Sequence, residues 1–447
     1  MSYPRYAEYK ESGVEWLGEV PGHWEVKQVR YFAEILRGKF THRPRNDPAF
    51  YDGDFPFIQT GDITGTSKYI TEFRQTLNER GVAVSKEFPK GTLVMAIAAN
   101  IGDVAIIDFP AYFPDSIVGL APKSRSILMF MFYLMQAMKQ PMLMTATVST
   151  QMNLNVDQIA SLSVASPSLS EQSAIATFLD RQTAKIDALV AEQEKLIGLL
   201  KEKRQAVISH AVTKGLNPTA PMKDSGIEWL GEVPEHWEVK RVKCFTKSIE
   251  QGWSPLCEGF PVESFAEWGV LKVGCVNDGI FNPLENKSLP NELEPVPTLG
   301  IVAGDLLISR ANTRELVGSA AVVNENYCNL MLCDKLYRLR LVSNCCLPEF
   351  LSRYFGITSV RGQIGLSATG ASSSMLNISQ STILELISAL PSISEQQLIV
   401  RFLDQETSKI DTLITEAQQA ITLLKERRSA LISAAVTGKI DVRGESF

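Results

Sequence analysis

The sequence predicts an α/β (α+β) protein in which two mixed α/β globular domains, related by a pseudo-twofold axis, are separated by two long antiparallel coiled-coil helices. Three observations predict it. A helical stretch at Glu171–Thr213 returns as Glu395–Thr437, 224 residues on. An N-terminal segment, Ser12–Lys27, returns almost unchanged as Ser225–Lys240, 213 residues on. Between these repeats each half carries short apolar runs broken by glycine, the pattern of strands and turns. Outer segments are kept while the middle diverges, so one plan occurs twice with different contents. Two such copies can pack as the subunits of a dimer do.

Composition bounds what this plan can do. A chain of 447 residues with 45% hydrophobic content suits two or three domains. Met1–Lys10 is polar and aromatic, without a secretory signal, and the longest apolar run, Ile127–Met135, is too short to span a bilayer. A cytoplasmic protein with no membrane partner is expected. The seven cysteines all lie in the second half, no CxxC pair occurs and only four histidines are present. That argues against a disulfide framework and against a metal site, and for reduced structural thiols. The net charge of −6 gives no global nucleic-acid footprint. Charge is unevenly placed, however. Lys27, Arg30, Arg37, Lys39, Arg43 and Arg45 face only Glu34, and the second half gathers Lys240, Arg241, Lys243 and Lys247. Local patches of this kind bind phosphate even in an acidic protein, although a solvated face has the same composition.

In chain order, residues 1–166 form the first globule with its repeated segment, 167–216 the first spacer helix, 217–390 a linker and the second globule, and 391–447 the second helix and tail. Phe57–Ile63 matches Val270–Val276 and Gly91–Met95 matches Gly304–Ile308, each read as a strand. Ala105–Ile107 and Ala320–Val323 are the return strands. Ile127–Met138 and Leu347–Ile357 are one core helix each. Thr150–Leu154 and Ser374–Ile378 precede the long helices. Ser170 is the expected N-cap of the first, and Lys214-Gly215 its stop. Ile186, Leu189, Gln193, Leu196, Leu200, Lys203 and Val207 step by three and four, the spacing of a coiled-coil seam. Its copy runs through Ile410, Leu413, Ala417, Ala420, Leu424, Arg427 and Leu431. The linker, Asn217–Asp224, holds Pro218 and Pro221.

The paired SGxEWLGExPxHW segments, the PSxSEQxxIxxFLDxxTxKID helix starts and the LLKExRxAxISxAVT helix ends resemble the specificity subunits of type I restriction–modification systems, over nearly the whole chain. The resemblance implies that each variable globule is a target recognition domain reading one half of a bipartite sequence in double-stranded DNA. It implies that the repeated segments contact two modification (methyltransferase) subunits, and through them restriction subunits. Methyl transfer from S-adenosylmethionine and ATP-driven steps would then belong to the partners, with no cofactor in this chain. The residues agree with a non-enzymatic role. No G-x-x-x-x-G-K-[ST] loop is present. Asp47-Pro48-Ala49-Phe50 and Asn282-Pro283-Leu284-Glu285 lack the second proline of an amino-methyltransferase tetrapeptide, and Asp278…Glu285-Asn286-Lys287 reads as a loop. A structural coiled-coil adaptor without sequence reading is the alternative; it accounts for the helices but not for two divergent globules.

Base reading needs Arg, Lys, Asn, Gln or acidic side chains, and phosphate contacts need cations and small hydroxyls. The candidates in the first globule are Arg37, Lys39, Arg43, Arg45, Gln59, Thr60, Asp62, Asn100, Thr150 and Gln151. In the second they are Lys272, Asn277, Arg310, Asn312, Arg314, Ser372, Ser373 and Ser374, with the Ser309–Arg314 loop the sharpest. Its counterpart, Ala96–Asn100, is uncharged, so the two globules are expected to read different sequences. Trp16, Trp24, Trp229, Trp237, Phe178 and Phe402 recur at matched positions and are the candidate partner anchors.

Overall fold

A computed structural model of the chain describes residues 3–145, 154–372 and 375–444. The chain divides into two compact units, Met1–Glu194 with Gln418–Phe447, and Lys195–Ala417. Each long helix therefore gives part of its length to each unit.

The first unit is built on two four-stranded sheets. One is antiparallel, in the order Ala33–Arg37, Ile117–Pro122, Leu93–Ala96, Val104–Ile106. The other runs Gln75–Leu77, Tyr51–Phe57, Ala111–Tyr112, Glu87–Phe88, with Tyr112 paired parallel to Phe57. Leu93–Ala96 is buried along its whole length because both of its faces are covered. Successive side chains leave a strand on opposite faces. Leu93 and Met95 accordingly join the cluster around the helix Leu128–Ala137, whereas Val94 packs with Phe88 and Phe113 of the second sheet. The second unit repeats both sheets in the same order, Leu306 and Ile308 facing one cluster and Leu307 the other.

The layer between the sheets is filled differently in the two units. In the first, a Cβ at Gly119 would lie 2.8 Å from the Phe88 ring, so the strand passes under an aromatic pair, Phe88 stacked on Phe113. The ladder places Arg338 at the matching position of the second unit, where it is 1% exposed. Its guanidinium donates to the carbonyls of Gly300 at 2.8 Å and Thr298 at 2.9 Å and pairs with Glu250. That hydrogen bond holds the Glu250 carboxyl below its ordinary value.

The first long helix spans Leu169–Lys214, 46 residues or roughly 69 Å at 1.5 Å per residue, and the second Ile393–Val436. Ser168, not Ser170, caps the first. The Ser168 hydroxyl accepts from the Glu171 N–H at 3.3 Å while the Glu171 carboxylate accepts from the Ser168 N–H, a reciprocal capping box. Beside it the buried Gln172 accepts from the Ile127 N–H and donates to the carbonyls of Arg125 and Pro167, and Gln396 does the same with Leu347, Cys345 and Pro391. Each helix ends on a glycine with positive φ, Gly215 at 75° and Gly438 at 74°. A Cβ on Gly438 would come within 2.9 Å of Trp24, and one on Gly215 within 3.2 Å of Trp237, so only glycine lets the helix end sit against the ring.

The expected seam holds at Ile186, Gln193, Leu200 and Val207 and at Ile410, Ala417, Leu424 and Leu431, but the positions between them lie one residue further on. Leu189, Leu196 and Leu413 are exposed, as are Lys203 and Arg427. Ile186, Val190, Gln193, Ile197, Leu200 and Arg204 are the buried or half-buried row, matched by Ile410, Ile414, Ala417, Ile421, Leu424 and Arg428. In the first unit Arg428 Nε donates to Asp187 at 2.9 Å; in the second Arg204 Nε donates to Asp411 at 2.9 Å. Arg204 follows Asp187 by 17 residues and Arg428 follows Asp411 by 17, so the same pair recurs within each unit.

The strands expected at Phe57–Ile63 and Val270–Val276 stop early. Phe57 and Leu271 end their strands, and Thr60–Thr64 and Val273–Gly279 turn into short helices. Among the described residues every cysteine is free, and Cys244 and Cys328 are exposed rather than structural.

Candidate nucleic-acid interface

In the first unit the basic cluster is presented by the end of an edge strand. The strand Ala33–Arg37 finishes at Arg37, and Gly38 then passes so close to the Pro114 carbonyl that a Cβ would sit 2.0 Å away. Lys39 N–H donates to Phe113 O at 2.9 Å and Thr41 N–H to Val84 O at 3.1 Å, pinning the segment while its long side chains stay in solvent. Arg45 Nη2 reaches both Asp115 oxygens, at 2.5 and 2.7 Å, and Arg43 reaches the same carboxylate at 3.3 Å. Arg37, Lys39, Thr41, Arg43, Asp115 and Lys86 line a groove of about 620 Å³. Arg37, Lys39 and Lys86 face it with no carboxylate partner among the described residues.

Beside the groove, and sharing Phe40 with it, lies a second cavity of about 450 Å³. Phe40, Tyr51 and Phe57 form its apolar wall, with Arg45, Gln59, Asp62, Arg74 and Gln75 at its polar edge. Burial raises the Tyr51 phenol above its ordinary value, and the hydroxyl donates to Arg45 O. Gln59 donates through Nε2 to Gln75 Oε1 at 2.9 Å. Asp62 accepts from the Gln59 N–H at 2.8 Å, so the candidates Gln59, Thr60 and Asp62 sit on one capped helical turn instead of a strand. Asn100 belongs elsewhere. Its amide donates to Thr64 at 2.9 Å, beside Asp103 and Lys139.

The second unit assembles a different set. Arg310 is half-buried, its guanidinium donating to Asp334 O at 3.2 Å, and Asn312 caps the Thr313 N–H at 2.9 Å. The segment expected as a loop contains a short strand, Ala311–Asn312, paired with Met375–Asn377. Arg314 is exposed; Lys272 is half-buried, and Asn277 Oδ1 is buried without a hydrogen-bond partner. Thr150, Gln151, Ser373 and Ser374 lie outside the described residues, and Ser372 is described only as backbone at a strand end.

The expected aromatic anchors divide. Trp24 and Trp237 are 0% exposed and Phe178 1%, so they are core residues with no face to offer a partner. Trp24 Nε1 donates to Glu171 at 3.1 Å, and Trp237 Nε1 to Glu395 at 3.1 Å; His23 and His236 contact the same carboxylates at 2.8 and 2.9 Å. Burial pushes the Glu171 carboxyl up, but hydrogen bonds from His23, Trp24 and Ser168 outweigh it and hold the group below its ordinary value. Trp16 and Trp229 are half-buried, Trp16 donating to Ser163 O, and Phe402 is exposed.

The family model for the type I restriction modification DNA specificity domain matches residues 21–197. The EcoKI specificity subunit of Escherichia coli strain K12 is 23% identical across 95% of this chain and 90% of its own length. The MjaVIII specificity subunit of Methanocaldococcus jannaschii is 23% identical across 98% of both chains. Residues 21–197 therefore carry a type I restriction modification DNA specificity domain. The EcoEI specificity subunit of E. coli is 27% identical, over 54% of this chain and 40% of its own. In fold, the chain is similar to a chain from a structure of the type I R-M system, with a TM-score of 0.69, 17% identity and coverage of 96% and 99%. The HsdS subunit from Thermoanaerobacter tengcongensis gives 0.51 at 16% identity, covering 94% and 98%.

The structure adds three residues to the first unit's basic face that the sequence reading missed. Lys86 arrives through the bridge Phe40↔Ser85, and Arg74 and Gln75 come with the strand Gln75–Leu77. None is close in sequence to the Arg37–Arg45 cluster, and no local pattern marks them. Among the described residues no group of three His, Cys, Asp or Glu is placed to hold a metal ion, and no helix is long and apolar enough to cross a membrane.

Proposed function

We propose that this chain is a specificity subunit that reads a bipartite target in double-stranded DNA, one half per globule. On this reading the paired helices set the distance between the halves, and the repeated segments receive two modification (methyltransferase) subunits, through which restriction subunits join. The chain is non-catalytic and holds no cofactor; S-adenosylmethionine and ATP are used by the partners. One observation carries the reading. The frame is duplicated to the level of single hydrogen bonds, as at Trp24–Glu171 and Trp237–Glu395, while the exposed polar segments differ. Gln59 matches Lys272, and the uncharged Ala96–Asn100 matches a segment with two arginines. Glutamine suits adenine and lysine suits guanine in the major groove, so such differences alter what is read without altering what is assembled.

The test is to map modified bases in cells carrying this chain and its modification subunit. A single bipartite motif with a fixed spacer is expected; methylation with no fixed bipartite sequence overturns the reading. Alanines at Arg310, Asn312 and Arg314 should relax one half of that motif while the purified complex keeps its subunits. An unchanged motif excludes this segment from recognition.

A further inference from the structure

The two globules carry opposite chemistry at one matched place in the frame. Gly38 and Gly252 each follow an edge strand where no side chain fits: a Cβ at Gly252 would lie 1.9 Å from the Leu332 carbonyl, as one at Gly38 would lie 2.0 Å from that of Pro114. The Trp253 N–H donates to Leu332 O at 3.0 Å, in the way that the Lys39 N–H donates to Phe113 O. From there the segments diverge. The first globule continues through Lys39, Arg43 and Arg45, and its aromatic residues turn inward, Phe40 into the core and Phe50 against His42. The second has no Lys, Arg or His between Trp253 and Trp268 and carries Glu258, Glu263 and Glu267 instead, all exposed. None of these three glutamates forms an ion pair among the described residues. Asp115, two residues ahead of the strand Ile117–Pro122, pairs with two arginines; Asp334, two residues ahead of the matching strand Leu336–Leu341, accepts from the Ser254 hydroxyl.

The apolar side chains of the second segment point outward. Leu256 is 90% exposed, Phe265 81% and Phe260 56%. One exposed leucine is ordinary, whereas several large apolar residues on a short stretch mark a contact surface. The stretch is held in place. Glu258 N–H donates to Ser288 O at 3.0 Å and Phe260 O accepts from Ser288 N–H at 2.9 Å, so it runs beside the edge strand Asn286–Ser288. Val262 N–H donates to Asn286 Oδ1 at 2.9 Å, and Leu284, also exposed, comes just before the same strand. Unpaired carboxylates repel a phosphate backbone, so this surface is closed to nucleic acid. Apolar anchors ringed by carboxylates complement a face of the opposite charge.

We propose that Trp253–Trp268 of the second globule docks a protein that presents lysines or arginines among apolar side chains. Because the matched segment of the first globule has the opposite charge, this partner meets one globule only, and one copy binds per chain. The surface is separate from the residues assigned to DNA reading.

The probe is a synthetic amphipathic peptide of lysine and leucine, titrated into the full chain at low salt. The same peptide with glutamate in place of lysine is the control. The lysine peptide should bind one per chain and lose affinity as salt is raised. Leu256→Ser with Phe265→Ser, and separately Glu263→Gln with Glu267→Gln, should each weaken it about ten-fold or more. Unchanged melting temperatures and unchanged affinity for duplex DNA should accompany that loss, and the glutamate peptide should not distinguish the variants from the wild-type chain. Equal affinity of the lysine peptide for the wild-type chain and both variants overturns the proposal. Self-association of the full chain that the variants abolish would put a second copy on the surface, and a fall in their duplex affinity would put DNA there; either result overturns it too.

Discussion

Glu171 is a single carboxylate that gathers the first turn of a 46-residue helix, the indole of a fully buried Trp24 and the ring of His23. Its pKa is lowered in the folded chain, so the ionised form is the one the fold favours. The stabilisation is complete above the unfolded value of about 4.3 and is lost as pH falls through the lower folded value. Glu171→Gln keeps the shape and removes the charge. It should cost about 1–3 kcal/mol at neutral pH, read as a lower melting temperature. The difference from wild type should shrink as pH falls below the unfolded value of about 4.3 and on through the lower folded value, where the wild-type carboxylate also takes up a proton. A difference independent of pH would mean that shape, not charge, matters at this site. The sequence marked Trp24, Trp237 and their neighbours as important because they recur, and recurrence does not separate a packed frame from a docking surface. Burial does, and it assigns Trp24, Trp237 and Phe178 to the frame.

At the scale of elements, the existence of both long helices was legible from period alone, and their facing was not. Val190 stands next to Leu189 and Ile197 next to Leu196, so two seams that share Ile186, Gln193 and Leu200 and differ by one residue at alternate positions fit the same three–four spacing. Contacts from far along the chain decide between them: Asp187 with Arg428, and Asp411 with Arg204. Lys203 and Arg427, puzzling as seam residues, are simply exposed. Lys203→Ala and Arg427→Ala should therefore change stability by no more than about 0.5 kcal/mol, whereas Leu200→Ala should cost about 2–5 kcal/mol. Thermal melting of the three variants checks the ranking, and a large loss at Lys203 would restore the other seam. Strand ends were legible only in part. Gln59 and Asp62 stop the strand by capping a helical turn, a signal that reads from sequence as ordinary polar residues. The groove itself was half legible, since Arg37–Arg45 is a local cluster while Lys86 and Arg74 reach it only through tertiary pairing.

At the scale of the whole molecule, each unit is completed by the end of a helix that begins in the other. The first unit's core includes Leu431, Ile432, Ala435 and Val436, and the second unit's includes Ile208, Ala211 and Val212. Ile208, Ala211 and Val212 are the repeat equivalents of Ile432, Ala435 and Val436. A fragment of residues 1–223 lacks the second helix yet carries its equivalent, so two copies can exchange helix ends. Such a fragment should form a homodimer in light scattering, and a monomer at every concentration would refute this account of the cores.

The same non-contiguity orders events as the chain leaves the ribosome. Residues 195–417 form one uninterrupted unit and have all their partners once Ala417 has emerged. The unit that begins at the N-terminus must wait for residues 418–447, holding Trp24 and its neighbours without Val436 and Gly438 to cover them. Domains in a growing chain generally fold from the N-terminus onward. Here the unit that comes earlier in the chain is completed after the one that follows it, and until residues 418–447 are made its core lacks the helical turns that cover Trp24.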